Sequence, residues 1–109
     1  MSLHRVPLGA DLPTGGLRGL VVAGRALCVV RTDDGSLFAL DDECSHEAES
    51  LSEGQLLGCE IECPWHFGRF DVTTGEAVAL PAMEPVRTYR VSADGEDLLI
   101  DVPEAQTPP

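Results

Sequence analysis

Short apolar runs separated by glycine and proline follow one another along most of the chain. The segments LRGLVVAG and RALCVVR are rich in valine and leucine, and Gly24 stands at the turn between them. The stretch CEIEC alternates with a period of two, which predicts a strand with its two glutamates on the face opposite Cys59, Ile61 and Cys63. These features are typical of β-structure.

Three glycine-containing turns, two of them with Asp-Gly, predict further hairpins. TDDGS leads into SLFALDD, TTGE lies between GRFDV and EAVAL, and ADGE lies between VRTYRVS and DLLIDV. No window shows convincing 3.6-residue periodicity, and EAESLSEG offers one helical turn at most. The pattern therefore predicts a single all-β domain over residues 1–109, an antiparallel sandwich or barrel, with a frayed tail at 103–109.

Composition excludes several classes of function. Nineteen Asp and Glu stand against seven Lys and Arg, for a net charge of −12. Nucleic-acid binding is not expected, because phosphate contacts require clustered cations. No apolar run approaches the roughly 18 residues of a membrane span, and the N-terminus has no signal-peptide pattern. The sequence therefore predicts a cytoplasmic protein with no membrane partner.

The acidic residues are concentrated in the middle of the chain. Between Thr32 and Gly68 there is no Lys or Arg, and ten of the nineteen acids fall there. A solvated surface is one interpretation, and an electronegative face that steers a basic partner is the other. The ten acids are Asp33, Asp34, Asp41, Asp42, Glu43, Glu47, Glu49, Glu53, Glu60 and Glu62.

Two mixed pairs of cysteine and histidine indicate a metal centre. Cys44 and His46 form a C-x-H pair, and Cys63 and His66 form a C-x-x-H pair sixteen residues further on. Zinc accepts two thiolates and two imidazoles, and so does a two-iron cluster. The spacing favours the cluster, because common zinc modules pair Cys with Cys and His with His.

CSH followed by CPWH at this gap resembles the Rieske [2Fe–2S] motif. LSEG, HFGRFDVTTGEAVALPA and the closing hairpin are similar to the ferredoxins of bacterial aromatic-ring-hydroxylating dioxygenases, such as the biphenyl and carbazole types. The resemblance implies a Rieske β-sandwich with an inserted cluster-binding subdomain at roughly residues 42–82. It also implies a Rieske [2Fe–2S] cluster, with Cys44 and Cys63 on one iron and His46 and His66 on the other.

The same resemblance predicts a low redox potential. High-potential Rieske proteins carry a disulfide beside the cluster, and the matching positions here are Glu49 and Trp65. Gly68 and Phe70 stand where that class tends to have Ser and Tyr, so two hydroxyl donors are missing. Fewer donors and nearby carboxylates favour the oxidised state, which predicts a midpoint around −150 mV.

An oxygenase function is not expected. A mononuclear iron site needs two histidines and a carboxylate, and only His4 remains beyond the proposed ligands. No Gly-x-Gly-x-x-Gly fingerprint is present, so no flavin or nicotinamide site is expected. The interpretation is a monomeric one-electron carrier. The resemblance implies that it passes electrons from an NADH-dependent flavin reductase to the terminal oxygenase of an aromatic-ring dioxygenase, and we expect transient, electrostatically steered contacts.

Two alternatives remain open at the level of sequence. One is a Rieske-like small subunit of a nitrite reductase or a related complex, and the other is a zinc-stabilised interaction module without redox activity. Cys28 and Cys59 are predicted to pack in the core, and His4 is predicted to lie at the surface.

Overall fold

A computed structural model of the protein describes residues 2–7, 12–42, 50–63, 68–79 and 85–102. Ten strands and one short 3₁₀ turn, Leu51–Glu53, lie in these ranges. The strands are β1 Ser2–Val6, β2 Leu17–Val22, β3 Arg25–Arg31, β4 Leu37–Asp41, β5 Gln55–Leu57, β6 Glu60–Glu62, β7 Arg69–Asp71, β8 Ala77–Ala79, β9 Thr88–Asp94 and β10 Asp97–Val102. The predicted all-β class is confirmed.

The larger sheet has six antiparallel strands in the order β1-β10-β9-β4-β3-β2. Strand β10 has the alternation expected of a strand with one buried face. Leu98, Ile100 and Val102 are buried, and the residues between them are partly exposed. Strands β2 and β3 meet at a two-residue turn, where Ala23 and Gly24 both have positive φ. That geometry matches the right-handed twist of a hairpin.

The smaller sheet contains β5-β6-β7-β8, again antiparallel, with a register shift between Arg69 and Phe70. All four strands fall inside the subdomain predicted at residues 42–82. The limits of that subdomain stay a prediction, because residues 43–49 and 80–84 lie outside the described ranges. The predicted tail at 103–109 lies outside them as well.

Two separate hydrophobic clusters stabilise the fold. One lies within the larger sheet and includes Leu27, Leu98 and Ile100. The other joins the two sheets, because Cys28 and Leu40 of the larger sheet pack with Phe70 of the smaller one. The second cluster holds the smaller sheet in place on β3 and β4.

The N-terminal strand β1 was not predicted from the sequence. It pairs with β10 from Ser2↔Val102 to Val6↔Leu98, and Arg5 forms ion pairs with Asp94 at 2.8 Å and Asp97 at 2.9 Å. His4 lies in this strand and is partly exposed. The short polar stretch has little apolar alternation, so its strand depends on a partner from the other end of the chain.

Within the described residues, no helix is long and apolar enough to cross a membrane.

Candidate metal centre

In the sequence, each predicted pair of ligands comes shortly after the last residue of a strand. The first ligand segment, residues 43–49, follows β4 and Asp42, and it precedes the 3₁₀ turn. The second ligand segment, residues 64–67, lies between β6 and β7. The structure describes one predicted ligand, Cys63, which is fully buried at the end of β6. Cys44, His46 and His66 lie outside the described residues.

Asp42 connects the two sides of the first ligand segment. Its carbonyl oxygen accepts a hydrogen bond from the Leu51 N–H at 2.6 Å. Its Oδ1 accepts from the Ser52 N–H at 2.7 Å, and its Oδ2 accepts from the Ser52 hydroxyl at 3.0 Å. The Asp42 N–H donates in turn to the Ala26 carbonyl at 3.0 Å, which attaches this junction to β3. The residues on either side of the segment are therefore fixed to each other and to the larger sheet.

The close approach of Ser52 to β2 requires glycine at position 19. A Cβ at Gly19 would contact the Ser52 hydroxyl, and it would lie 2.9 Å from the Ser52 Cβ and 3.1 Å from Asp42 Oδ2. Real Cβ atoms do not approach neighbours this closely, so a larger residue would displace Ser52 from Asp42. The glycine in β2 thus makes room for the hydrogen bonds of Asp42.

The second ligand segment is closed in a similar way. The Cys63 N–H donates to the Gly68 carbonyl at 2.7 Å, which joins the residues on either side of it. Beside this bond, the buried Glu62 accepts from Arg69 Nε at 3.1 Å and from Gln55 Nε2 at 3.2 Å. The carboxylate therefore connects the strand before the segment to the strand after it.

The hydrophobic cluster between the sheets brings the two junctions together. Leu51, which follows the first ligand segment, and Cys63, which precedes the second, are both fully buried in it. Cys28 of β3 lies in the same cluster. Eleven residues separate Leu51 from Cys63 in the chain. Both residues nevertheless pack in the same core, so the first ligand segment ends close to where the second begins, as a shared metal centre requires.

The two remaining cysteines differ in exposure. Cys28 is fully buried as predicted, and burial, with the Asp42 carboxylate as a further cause, raises the pKa of its thiol. The prediction that Cys59 packs in the core is wrong: Cys59 is exposed. Strand β6 begins at Glu60, and Cys59 belongs to the turn after Gly58, whose φ is +65°. The strand alternation therefore does not extend to Cys59.

Several acids of the predicted electronegative face have partners inside the protein. Asp41 accepts a hydrogen bond from the Tyr89 hydroxyl at 2.5 Å, and partial burial, together with this bond, raises the pKa of Tyr89. Asp42 and Glu62 are buried in the junctions described above. Among the described acids between Asp41 and Glu62, Glu53 is exposed and Glu60 is partly exposed. The acids available to a partner are therefore fewer than the sequence suggested.

The functional residues that sequence reasoning missed are the partners of these carboxylates. Ser52 bonds to Asp42, Arg69 bonds to Glu62, and Gly19 leaves room for Ser52; none of these three residues belongs to a ligand pair. The sequence did contain one indication that Arg69 pairs with an acid, because Arg69 is the first cation after the long acidic stretch.

Comparison with known proteins agrees with this geometry. The model of the Rieske [2Fe–2S] domain matches residues 3–90. The ferredoxin component of the p-cumate 2,3-dioxygenase system of Pseudomonas putida is 47% identical over 87 residues, which cover 79% of this chain and 73% of that protein.

Solved structures give the same result. The ferredoxin of carbazole 1,9a-dioxygenase from Nocardioides aromaticivorans IC177 superposes with a TM-score of 0.85 at 39% identity, covering 92% of this chain and 97% of that one. A chain in a complex of reduced oxygenase and oxidised ferredoxin of carbazole 1,9a-dioxygenase superposes with a TM-score of 0.82 at 31% identity, covering 90% and 91%. The predicted resemblance is confirmed.

Cysteine labelling checks the difference between Cys59 and Cys28. We expect iodoacetamide to alkylate Cys59 in the folded, iron-loaded protein and to leave Cys28 unmodified, because only Cys59 is exposed and the raised pKa of Cys28 disfavours its thiolate. Peptide mapping by mass spectrometry measures both sites. A Cys59→Ser control should remove the rapid labelling. Equal modification of Cys28 in the folded protein would contradict the burial described here.

Proposed function

The chain belongs to the Rieske [2Fe–2S] domain family, and we propose from this membership that it carries single electrons from an NADH-dependent flavin reductase to the terminal oxygenase of an aromatic-ring dioxygenase system. The observation that carries the proposal is the match to ferredoxin components of such systems at 47% and 39% identity. The chain is an electron carrier with a [2Fe–2S] cluster, and it is not itself the enzyme that oxidises the substrate.

Four residues are proposed to hold the cluster, with Cys44 and Cys63 on one iron and His46 and His66 on the other. The donor set fits this group, because two thiolates and two imidazoles match the two halves of a Rieske cluster. The burial of Cys63 and the closure of both ligand segments support the proposal. When bound, the cluster supplies a centre that accepts and releases one electron.

The oxygenase is proposed as a transient partner. The complex that contains a structural neighbour pairs a ferredoxin with the oxygenase of carbazole 1,9a-dioxygenase. A carrier that must meet a reductase and an oxygenase in turn is served by small contacts with rapid dissociation. The net charge of −12 and the outward-facing Glu53, just after the first ligand segment, support electrostatic steering by a basic partner surface.

The proposal also includes a monomeric, cytoplasmic protein. Cys28 and Cys59 form no disulfide, and Cys59 is exposed. An exposed thiol is compatible with a reducing compartment, where disulfides are rare.

The two alternatives have weaker support. A nitrite reductase subunit would share the fold, but the relative at 47% identity is a dioxygenase ferredoxin. A zinc-stabilised module would not account for the match to the Rieske [2Fe–2S] model over residues 3–90.

Metal analysis tests the ligands. We expect about two irons and two acid-labile sulfides per chain, and a Rieske-type EPR signal after reduction with dithionite. The His46→Cys and His66→Cys variants should change or remove that signal, because a thiolate alters the charge and electronic structure of the iron that it binds. A His4→Cys variant is the matched control and should leave the signal unchanged. One zinc per chain without sulfide would contradict the proposal.

Redox titration tests the expected potential. Position 68 is a buried glycine, and position 70 is a phenylalanine that packs fully inside the core, so neither side chain supplies a hydroxyl donor. We therefore expect a midpoint near the low end of the Rieske range, roughly −150 mV. Spectroelectrochemical titration measures it, and a clearly positive midpoint would show that other groups set the potential.

The salt dependence of turnover tests steering. We expect ferredoxin-dependent turnover at low ferredoxin concentration to slow as ionic strength rises past about 0.1 M, where the Debye length is about 10 Å. Glu53→Gln should raise the KM for the ferredoxin and reduce this salt dependence. Glu96→Gln removes an equal charge at the exposed β9–β10 turn and should change neither. Turnover that is insensitive to salt would contradict steering.

A further inference from the structure

We propose that Asp42 and Glu62 are positioning residues for the cluster, each holding in place the ligand segment that comes after it in the chain. This inference rests on the proposed cluster ligands. Neither Asp42 nor Glu62 is a proposed ligand, and both are buried.

The burial of these two carboxylates is the first observation. Among the described residues, the buried polar or charged side chains are Thr32, Asp42 and Glu62. Asp42 stands directly before the first ligand segment, and Glu62 stands directly before the proposed ligand Cys63. Burial of a carboxylate costs several kcal/mol unless hydrogen bonds replace the lost water. Both buried carboxylates of the described residues lie at these junctions. We infer that their role is to accept the hydrogen bonds found there.

The partners of the carboxylates are the second observation. Both oxygens of Asp42 accept hydrogen bonds from Ser52, on the far side of the first ligand segment. Both oxygens of Glu62 also have donors, and one of them is Arg69, on the far side of the second segment. A backbone bond closes each junction beside its carboxylate, from Leu51 to Asp42 and from Cys63 to Gly68. The same device therefore occurs twice.

The consequences for the cluster follow from position and charge. A hydrogen-bonded junction limits how far the ends of a ligand segment can separate, which slows the release of iron. A buried carboxylate also adds a negative charge in a region of low dielectric, where charges interact more strongly than in water. Reduction makes the centre more negative, so a neutral residue at the same place should make reduction easier.

Four variants separate these two effects. Asp42→Asn and Glu62→Gln remove charge with little change of shape. Ser52→Ala removes one hydrogen bond to Asp42 and keeps every charge. Gly19→Ala also keeps every charge, but its Cβ would displace Ser52 from Asp42.

Asp34→Asn is the matched control. The Asp34 carboxylate accepts from the Thr32 hydroxyl at 2.5 Å and from the Ser36 N–H at 3.0 Å, so it makes the same kinds of bond as Asp42. It lies at the opposite end of β4, in an exposed turn.

The experiment uses the iron-loaded protein and two readouts, the rate at which visible absorption is lost to an iron chelator and the midpoint potential. We expect Asp42→Asn and Glu62→Gln to raise the potential and to accelerate cluster loss several-fold. Ser52→Ala and Gly19→Ala should accelerate cluster loss with a smaller change of potential. Asp34→Asn should match the wild type in both.

The outcomes distinguish this inference from the function on which it rests. If Asp42→Asn and Ser52→Ala lose their cluster at the wild-type rate and keep its potential, the positioning role is wrong and the electron-carrier function stands. The positioning role is also wrong if Asp34→Asn changes the rate of cluster loss and the midpoint potential as much as Asp42→Asn does. If the wild-type protein binds no iron and sulfide, the proposed function itself fails, and this inference fails with it.

Discussion

The packing of the four-stranded sheet onto β3 and β4 brings together the described residues on which the proposed cluster site is built. Phe70 of the smaller sheet and Cys28 of the larger one share a single buried cluster of side chains, and Leu51 and Cys63 belong to it as well. Apolar burial is favourable by roughly 25 cal/mol per Å² but has no direction. It can bring the two ligand segments to one place, but it cannot fix their angle or separation.

Direction comes from the hydrogen bonds at the two junctions. Asp42 and Glu62 each bond to residues beyond a ligand segment, and both are shielded from water. An electron carrier benefits from such rigidity, because its ligands should move little when the charge of the centre changes. The described acids near the site therefore differ in their exposure. Among the described residues, Asp42 and Glu62 are buried beside the proposed site, and exposed acids such as Glu53 remain available for an encounter with a partner.

The candidate site illustrates how far sequence reasoning extends. The candidate donor atoms stay a prediction, but they could be proposed from the sequence, because residue type and spacing are properties of a short stretch such as CPWH. The supporting residues could not. Ser52 and Arg69 carry no motif, and Gly19 matters only because the 3₁₀ turn lies against β2 at that point. Their roles arise from contacts between segments that are distant in sequence.

The fold shows the same division. By itself the sequence determined the β class, most of the strands and the tight turns, since side-chain alternation and the positive φ of residues such as Gly24 are local preferences. The tertiary structure alone decided that Ser2–Val6 is a strand, that Cys59 faces solvent and that Asp42 and Glu62 are buried. Burial and strand pairing are sums of contacts from remote parts of the chain, and no local pattern contains them.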